Sequence, residues 1–249
     1  MTRQVIRFPI PNSNSDMYIE GNLVIPDNPI GIVVFAHGSG SSKSSKRNQL
    51  ISEKLNKSNI ATLLFDLLSD EEQNFDTQLE KMSFKVPGAI LNKFNISLLT
   101  NRLSMVTDWV RSNPSTRQLP ISYFASSTGG AAALMSASRY NIVSIVIRSG
   151  RTDLIENKFL EHIESSCLLI VGSKEKSLVK ISTEAIKKMR NSKEKKLSMI
   201  EGASHLFEDE RSLQEVGEMA TQWLTRNFNL GIHSDGIDNG KRISTQLVT

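Results

Sequence analysis

The stretch "YFASSTGGAAAL", Tyr123 to Leu134, changes from strand-like to helix-like character within a few small residues. It begins in a short apolar run and ends in alanines, which are strong helix formers. A strand that turns sharply through small residues into a helix is the setting of a nucleophile elbow, where a strained turn exposes one side chain at a sheet edge. The alternative interpretation is a tight turn whose serine only caps the helix.

A nucleophile elbow needs small residues two positions before and two positions after the nucleophile, because the turn presses them together. If Ser126 were the nucleophile, the bulky Phe124 would occupy one of these positions. Thr128 has suitable neighbours, but a β-branched residue strongly disfavours positive φ. Ser127 has an alanine and a glycine at the two positions, so the pattern predicts Ser127 as the nucleophile.

A serine nucleophile needs a histidine to accept its proton and a carboxylate to orient that histidine. In this class of fold the expected chain order is serine, acid, histidine. His205, in "EGASHLFEDE", follows the last apolar run and precedes the final helical segment. The sequence therefore predicts His205 as the general base, against the alternative of an ordinary surface histidine.

Two carboxylates compete for the role of the acid. Glu175 lies in "SKEKS", directly after the apolar run "CLLIVG", and Asp153 lies in "RSGRTDL", after the preceding run. Glu175 is favoured, and the lysines on either side of it would support its ionised form. A surface glutamate and a helix N-cap are the respective alternatives.

The glycine-rich loop "FAHGSGSSKSSK", Phe35 to Lys46, invites comparison with a phosphate-binding loop. The Walker pattern G-x-x-x-x-G-K-[ST] fails here, because with Lys43 as its lysine neither required glycine is present. Acyl transfer needs two amide donors for an oxyanion, and the loop predicts Ser39 as one donor beside Thr128. His37 is expected to brace the loop, and the loop's lysines are expected to be incidental.

Arg148 and Arg151, in "IRSGRTD", follow the sixth apolar run. A guanidinium at that edge would suit a substrate carboxylate or phosphate, so both residues are candidates for substrate binding. A structural salt bridge at the end of the strand is the alternative.

Apolar runs and helical segments alternate along the chain, which predicts a doubly wound α/β sheet. The first two runs are expected to form antiparallel edge strands and the later ones buried parallel strands. The runs are "VIRFPI", "MYIEGNLVIP", "GIVVFAHG", "ATLLFDLL", "PISYFASS", "VSIVIRSG", "CLLIVGS" and "KLSMIEG". Ligands of such sheets bind at the carboxyl ends of the strands, where all the candidates above lie.

The predicted organisation is a single domain over residues 1–230. Residues 69–95 begin acidic and then contain a proline and a glycine, so they are expected to make an excursion that shapes a substrate pocket or merely connects. Residues 231–249 are polar and rich in turn formers, and they are expected to form a disordered tail.

The composition excludes several other classes of protein. The 249 residues include one cysteine, Cys167, so neither an internal disulfide nor a multi-thiolate metal site is available, and Cys167 itself reads as a buried core residue. The four histidines form no HxxxH or HExxH pair, so no metal site is expected. The net charge of +4 is scattered, and no apolar run is long enough to span a bilayer. We expect a cytoplasmic protein that binds neither nucleic acid nor membrane and acts on a small molecule.

The sequence resembles the dienelactone hydrolase-like branch of the α/β-hydrolase superfamily. The resemblance rests on "FAHGSGSSKSSKRN", "ATLLFDLL", "YFASSTGGAAAL", "LLIVGS" and "EGASHLFED" in that order, and covers roughly residues 30–227. It implies an eight-stranded, mostly parallel sheet flanked by helices on both faces. It also implies hydrolysis of an ester, lactone or similar acyl bond of a small substrate without a cofactor.

Three features depart from the pattern of that branch. The dienelactone hydrolases proper use a cysteine nucleophile where this chain has Ser127, the first glycine of the elbow is Ala125, and the usual acid is an aspartate rather than Glu175. The unusual acid and elbow leave open a protein that keeps the fold as a binding or scaffolding module. A phosphate- or nucleotide-binding protein is a further alternative, which rests on the loop rich in serine and lysine and on the two arginines.

Overall fold

The eight apolar runs form one eight-stranded sheet. The computed structural model of the chain describes residues 1–11, 17–82 and 90–236. The strand order is β1-β2-β4-β3-β5-β6-β7-β8, with β2 antiparallel to both of its neighbours and the other pairs parallel. The strands are β1 (Thr2–Pro9), β2 (Tyr18–Ile25), β3 (Gly31–Ala36), β4 (Ile60–Phe65), β5 (Ile121–Ser126), β6 (Ser144–Arg148), β7 (Ser166–Gly172) and β8 (Lys195–Ile200). This confirms the predicted mostly parallel α/β sheet, although β2 lies second from the edge rather than at it.

The helices cover both faces of the sheet. They are α1 (Lys46–Lys57), α2 (Asp70–Lys81), α3 (Ile96–Ser112), α4 (Thr128–Ala137), α5 (Asn157–Glu161), α6 (Lys176–Lys188) and α7 (Glu210–Gly236). Helices α1 and α7 pack on one face, while α3, α4 and α6 pack on the other. Short 3₁₀ turns cover Asn92–Phe94 and Thr152–Leu154.

Strands β3 to β7 are apolar at nearly every position because both of their faces are covered. In β3, the side chain of Val34 packs with the cluster under α3 and α4, whereas Val33 and Phe35 pack with the cluster under α1 and α7. Burial of each such side chain contributes roughly 1.5–3 kcal/mol. The two cores hold the carboxyl ends of the strands in register, and the loops with the candidate residues leave from those ends.

Helix α2 lies in the segment 69–95 and was not predicted as a helix. Its sequence "DEEQNFDTQLEK" has only two apolar residues, Phe75 and Leu79, so the apolar pattern that predicts a helix is sparse here. The signal was at its start, where Ser69 accepts a hydrogen bond from the Glu72 amide and the Glu72 carboxylate accepts one from the Ser69 amide. That capping box could have been recognised from Ser-x-x-Glu. Residues 83–89 lie outside the described part of the chain.

Helix α7 continues to Gly236, six residues into the segment that we expected to be a tail. Gly231 suggested an end to the helix, but a glycine inside a helix costs only about 1 kcal/mol relative to alanine. The rest of the predicted tail, residues 237–249, lies outside the described residues. Within the described residues, no helix is both long and apolar enough to cross a membrane.

Candidate active site

The turn between β5 and α4 holds Ser127 in a strained backbone conformation. Its φ is 48° and its ψ is −124°, and neither Ser126 nor Thr128 has a positive φ. Backbone hydrogen bonds hold the turn on both sides: the Ser127 amide donates to the Arg148 carbonyl at 3.3 Å, and the Ser127 carbonyl accepts from the Arg151 amide at 3.1 Å. Such a conformation costs of order 1–3 kcal/mol and persists only where the surrounding structure enforces it.

Two glycines let the backbone approach this turn closely. A Cβ on Gly129 would lie 2.2 Å from the Ala36 carbonyl oxygen, so α4 begins directly against the end of β3. A Cβ on Gly38 would lie 2.7 Å from the Cβ of Ser127. The loop after β3 therefore borders the Ser127 side chain, whose hydroxyl has no hydrogen-bond partner among the described residues.

The loop after β3 is braced by a buried imidazole. The Nδ1 of His37 lies 2.9 Å from the Gly38 carbonyl oxygen, and its Nε2 accepts a hydrogen bond from the Leu67 amide at 3.0 Å. An imidazole that accepts at Nε2 and donates at Nδ1 is neutral. Burial lowers the pKa of His37, which favours the same neutral form.

The two amides expected to bind an oxyanion have different surroundings. The Ser39 amide donates to the Thr128 hydroxyl oxygen at 3.0 Å. The Thr128 amide begins α4 and has no hydrogen-bond partner in the described part of the chain, as is usual for the first amides of a helix. The structure thus brings both residues beside Ser127, but the Ser39 amide already donates its hydrogen bond to the Thr128 hydroxyl.

Lys43 is not incidental, contrary to our expectation. Its backbone amide and its ammonium both contact the Asp66 carboxylate, at 2.8 Å and 2.5 Å respectively. Burial is the largest single influence and lowers the pKa of Lys43, but the hydrogen bonds and charges of Asp66 and Glu20 together outweigh it, so the pKa is raised. This pair ties the loop after β3 to the end of β4, a contact between distant segments that the sequence could not reveal.

His205 lies in the loop between β8 and α7, at the same sheet edge as Ser127. The Ser149 hydroxyl donates to the His205 carbonyl oxygen at 3.0 Å, and Ser149, which follows β6, has a φ of 48°. The Nδ1 of His205 lies 4.0 Å from Oε2 of Glu175, and both side chains are about one-third exposed. The structure thus brings the sequence-predicted base and acid into ion-pairing distance.

Several charges act on the His205 imidazole. Burial is the largest influence and lowers its pKa, Glu175 raises it, and Arg148 and Arg151 lower it further. The net effect is a pKa below the usual value, so the ring is neutral near pH 7. A neutral imidazole can accept a proton, as a general base must.

The rival acid, Asp153, is occupied by a different partner. Its carboxylate accepts two hydrogen bonds from the Arg151 guanidinium, both at 2.8 Å. The pair satisfies both side chains, which corresponds to the structural salt bridge that we considered for Arg151. Arg148 differs: its side chain is buried, and its Nη1 has no hydrogen-bond partner among the described residues.

A cavity of about 710 Å³ opens beside the loop after β3. Its walls include the loop residues Gly38 to Ser42, the first residues of α1, part of α2, and Thr128. Arg47, at the start of α1, also lines it and was missed by sequence reasoning, because nothing in the pattern singles out this arginine from its basic neighbours.

Other chemistries find less support in the described residues. Cys167 is fully buried, and burial raises the pKa of its thiol to about 12, so it is a core residue and not a reactive thiolate. No group of three or more His, Cys, Asp or Glu side chains converges as metal ligands would in the described ranges.

No model of a protein family matches the chain. Over 223 residues it is 38% identical to a Mycobacterium tuberculosis protein provisionally named as a phosphoribosyl transferase. The match covers 89% of this chain but only 45% of that relative, so the chain spans less than half of its length. The protein Est1E from Butyrivibrio proteoclasticus shares the fold, with a TM-score of 0.68 and 13% identity over 90% of this chain and 99% of that one.

The crystal structure of a dienelactone hydrolase from Anabaena variabilis is more similar. It superimposes with a TM-score of 0.80 and is 36% identical in sequence, over 90% of this chain and 97% of that one. Identity of this level over nearly the whole of both chains, together with the same fold, shows common membership. The chain belongs to the dienelactone hydrolase-like branch of the α/β-hydrolase superfamily.

Proposed function

We propose that this protein is a serine hydrolase that cleaves an ester, lactone or similar acyl bond of a small molecule through an acyl-enzyme intermediate. The observation that carries the proposal is the strained turn at Ser127, which lies at the same sheet edge as the His205 and Glu175 pair. In this proposal Ser127 is the nucleophile, His205 the base and Glu175 the acid. No cofactor takes part.

The reaction begins when the Ser127 hydroxyl attacks the substrate carbonyl carbon and its proton passes to His205. The negative charge then forms on the former carbonyl oxygen, which the Thr128 amide stabilises. The His205 imidazolium donates its proton to the leaving alcohol, and water, activated by the same histidine, hydrolyses the acyl-enzyme. Glu175 stabilises the imidazolium in both halves.

The second oxyanion donor requires an exchange of hydrogen bonds. In the structure the Ser39 amide donates to the Thr128 hydroxyl, so it must turn to the oxyanion as negative charge develops. Catalytic hydrogen bonds are often long or misdirected without substrate and become aligned in the transition state. The contact with Thr128 holds the Ser39 amide at the edge of the site until then.

The transferase name of the tuberculosis relative supports a different chemistry. More than half of that relative lies outside the matched segment, so its name can describe a part that this chain does not share. The loop after β3 also lacks the glycine spacing of a Walker loop. Acyl hydrolysis therefore remains the better proposal for this chain.

A second candidate is a catalytically weakened protein that uses the fold for binding. Two observations favour it. The distance of 4.0 Å between Nδ1 of His205 and Oε2 of Glu175 is longer than a hydrogen bond, and the Ser39 amide already donates to the Thr128 hydroxyl. This candidate predicts that no covalent intermediate forms at Ser127.

Labelling with a fluorophosphonate probe separates the two candidates. We expect one covalent adduct on the wild-type protein, mapped by mass spectrometry to Ser127, and no adduct on Ser127→Ala. The matched control is Ser126→Ala, which removes the hydroxyl of the neighbouring, buried serine and should leave labelling intact. Hydrolysis of 4-nitrophenyl acetate and of δ-valerolactone should show the same pattern: it should be retained in Ser126→Ala and lost in Ser127→Ala. An unlabelled wild type, or equal labelling of Ser127→Ala, would contradict the proposal.

A further inference from the structure

The side chain of Arg148 is buried without any partner that would explain its burial. It is 5% exposed and ends β6, where it pairs in register with Ser126. Its Nη1 is enclosed and unpaired, and within the described residues the guanidinium makes neither a hydrogen bond nor an ion pair. An isolated buried charge lowers the stability of a fold. An unpaired buried guanidinium of this kind is therefore a candidate for a functional role rather than a residue that stabilises the protein.

A second arginine belongs to α1, which packs on the same face of the sheet as Phe207, whose ring faces the Arg148 guanidinium. Arg47 is the second residue of α1, its Nε is also enclosed without a partner, and its charge is close enough to lower the pKa of Arg148. Burial contributes more to that shift, which brings the pKa of Arg148 to about 10. Two guanidinium groups that influence each other and form no ion pair within the described residues leave a local excess of positive charge.

The start of α1 adds to this positive charge. The side chain of Ser45 does not cap the helix, and the first turn has no acidic residue, so its free amides face no negative group of their own. The amino end of a helix carries a partial positive charge and suits an anion. Arg47 belongs to this turn and also lines the cavity beside the loop after β3.

Arg148 is close to the groups proposed for catalysis. The Arg148 carbonyl accepts the hydrogen bond of the Ser127 amide, and the Arg148 charge lowers the pKa of His205. The Phe207 ring, two residues after His205, has its centroid 6.0 Å from the Arg148 guanidinium carbon. An anion at this point would be part of a molecule bound at the candidate active site.

We propose that Arg148, Arg47 and the amino end of α1 bind an anionic group of the substrate, a carboxylate or a phosphate. Guanidinium groups bind either anion through charge-assisted hydrogen bonds. Arg151, the other arginine predicted for this role, is not part of this proposal, because its guanidinium already pairs with Asp153. The substrate role rests on the proposed hydrolase function, whereas binding of the anion does not require catalysis.

Calorimetric titration with inorganic phosphate and with succinate tests the site directly. We expect one of the two anions to bind the wild type and Ser127→Ala equally, and its affinity to fall at least about tenfold in Arg148→Gln and in Arg47→Gln. Arg151→Gln is the matched control and should bind within about twofold of the wild type. The anion that binds shows whether the site is suited to a phosphate or to a carboxylate. Absence of binding at millimolar concentrations, or equal loss in the Arg151 variant, overturns the proposal.

A stability measurement separates binding from a structural role. Arg148→Met replaces an unpaired buried charge with an apolar side chain of similar length, so the urea midpoint should stay the same or rise while anion binding is lost. A large fall in the midpoint would show that Arg148 supports the fold instead, and would contradict the proposal.

Paired esters connect the site to catalysis. The 4-nitrophenyl monoester of glutaric acid carries a carboxylate that the 4-nitrophenyl ester of pentanoic acid lacks. If the titration identifies a carboxylate site, wild type should prefer the anionic ester in kcat/KM, and Arg148→Gln should reduce that preference about tenfold or more. If neither ester is cleaved, the proposed hydrolase function fails while the titration still decides the anion site. If both are cleaved equally and no anion binds, only the anion site fails.

Discussion

The imidazole Nδ1 of His205 lies 4.0 Å from Oε2 of Glu175, while Asp153, the other candidate acid, is held by Arg151 through two hydrogen bonds of 2.8 Å. The 4.0 Å separation allows an electrostatic interaction without a direct hydrogen bond. Since both side chains are about one-third exposed, solvent weakens the interaction. Within the described residues the histidine therefore has one carboxylate partner, and that partner is held loosely.

Replacing Glu175 with glutamine should lower activity far more than the equivalent change at Asp153. The glutamine keeps the shape of the side chain but cannot stabilise the imidazolium, so we expect kcat/KM for 4-nitrophenyl acetate to fall about a hundredfold. Asp153→Asn should change it by less than about threefold, because that carboxylate interacts with Arg151 and not with His205. Steady-state kinetics of the two variants gives the comparison. A larger loss in Asp153→Asn would reverse the assignment of the acid.

The acidic limb of the pH profile should report His205. Its pKa is lowered, chiefly by burial, so kcat/KM should rise with pH through a midpoint below about 6.5 as the imidazole loses its proton. Glu175 raises this pKa and Arg148 lowers it. Glu175→Gln should therefore move the midpoint to lower pH, and Arg148→Gln should move it to higher pH. Shifts in the opposite directions would show that another group controls the limb.

The sheet could be predicted because its signals are local. Each parallel strand carries its apolar run within a few residues, and the turn at Ser127 needs small neighbours that are adjacent in the sequence. Proximity of His205 to Glu175 follows from the topology, since parallel strands bring their carboxyl ends to one edge. Helix α2 was not predicted because it contains only two apolar residues, Phe75 and Leu79, which are too few to distinguish a helix from a polar connection.

Contacts between distant polar side chains could not be predicted. The interaction of the Ser39 amide with Thr128 spans 89 residues, and that of Lys43 with Asp66 joins two loops whose spacing depends on the sheet. The sequence places Arg148 at the carboxyl end of a strand but does not distinguish Arg47 from its basic neighbours, and only the fold reveals that the Arg148 side chain is enclosed. Their environment depends on tertiary packing, which local sequence patterns do not report.

The contact between the Ser39 amide and the Thr128 hydroxyl should contribute to catalysis by holding the loop after β3. Thr128→Val removes the acceptor with little change of shape and leaves the Ser39 amide without its partner. We expect kcat to fall about tenfold with KM unchanged, because the loop would no longer hold the Ser39 amide at the edge of the site, from which it turns to the oxyanion. Thr128→Ser keeps the hydroxyl and should retain kcat within about threefold. An equal fall in both variants would argue against the hydroxyl as the cause.

Acid should destabilise the protein through His37. Its pKa is lowered by burial, and a proton on Nε2 would break the hydrogen bond from the Leu67 amide. Below about pH 6.5 the unfolded chain binds a proton at this residue that the native protein does not bind, so stability falls as pH decreases, by up to about 1.4 kcal/mol per pH unit. Above that pH both states are neutral at His37 and its contribution is constant.

Urea unfolding at a series of pH values tests this linkage. His37→Gln can still accept from the Leu67 amide but does not titrate, so it should lower the slope of unfolding free energy against pH between about 7 and 5.5. His205 also has a lowered pKa and contributes in the same direction, so part of the slope should remain. His162→Gln, a change at an exposed position, is the control and should keep the wild-type slope. If His37→Gln keeps it as well, the buried imidazole is not the group that acid protonates on unfolding.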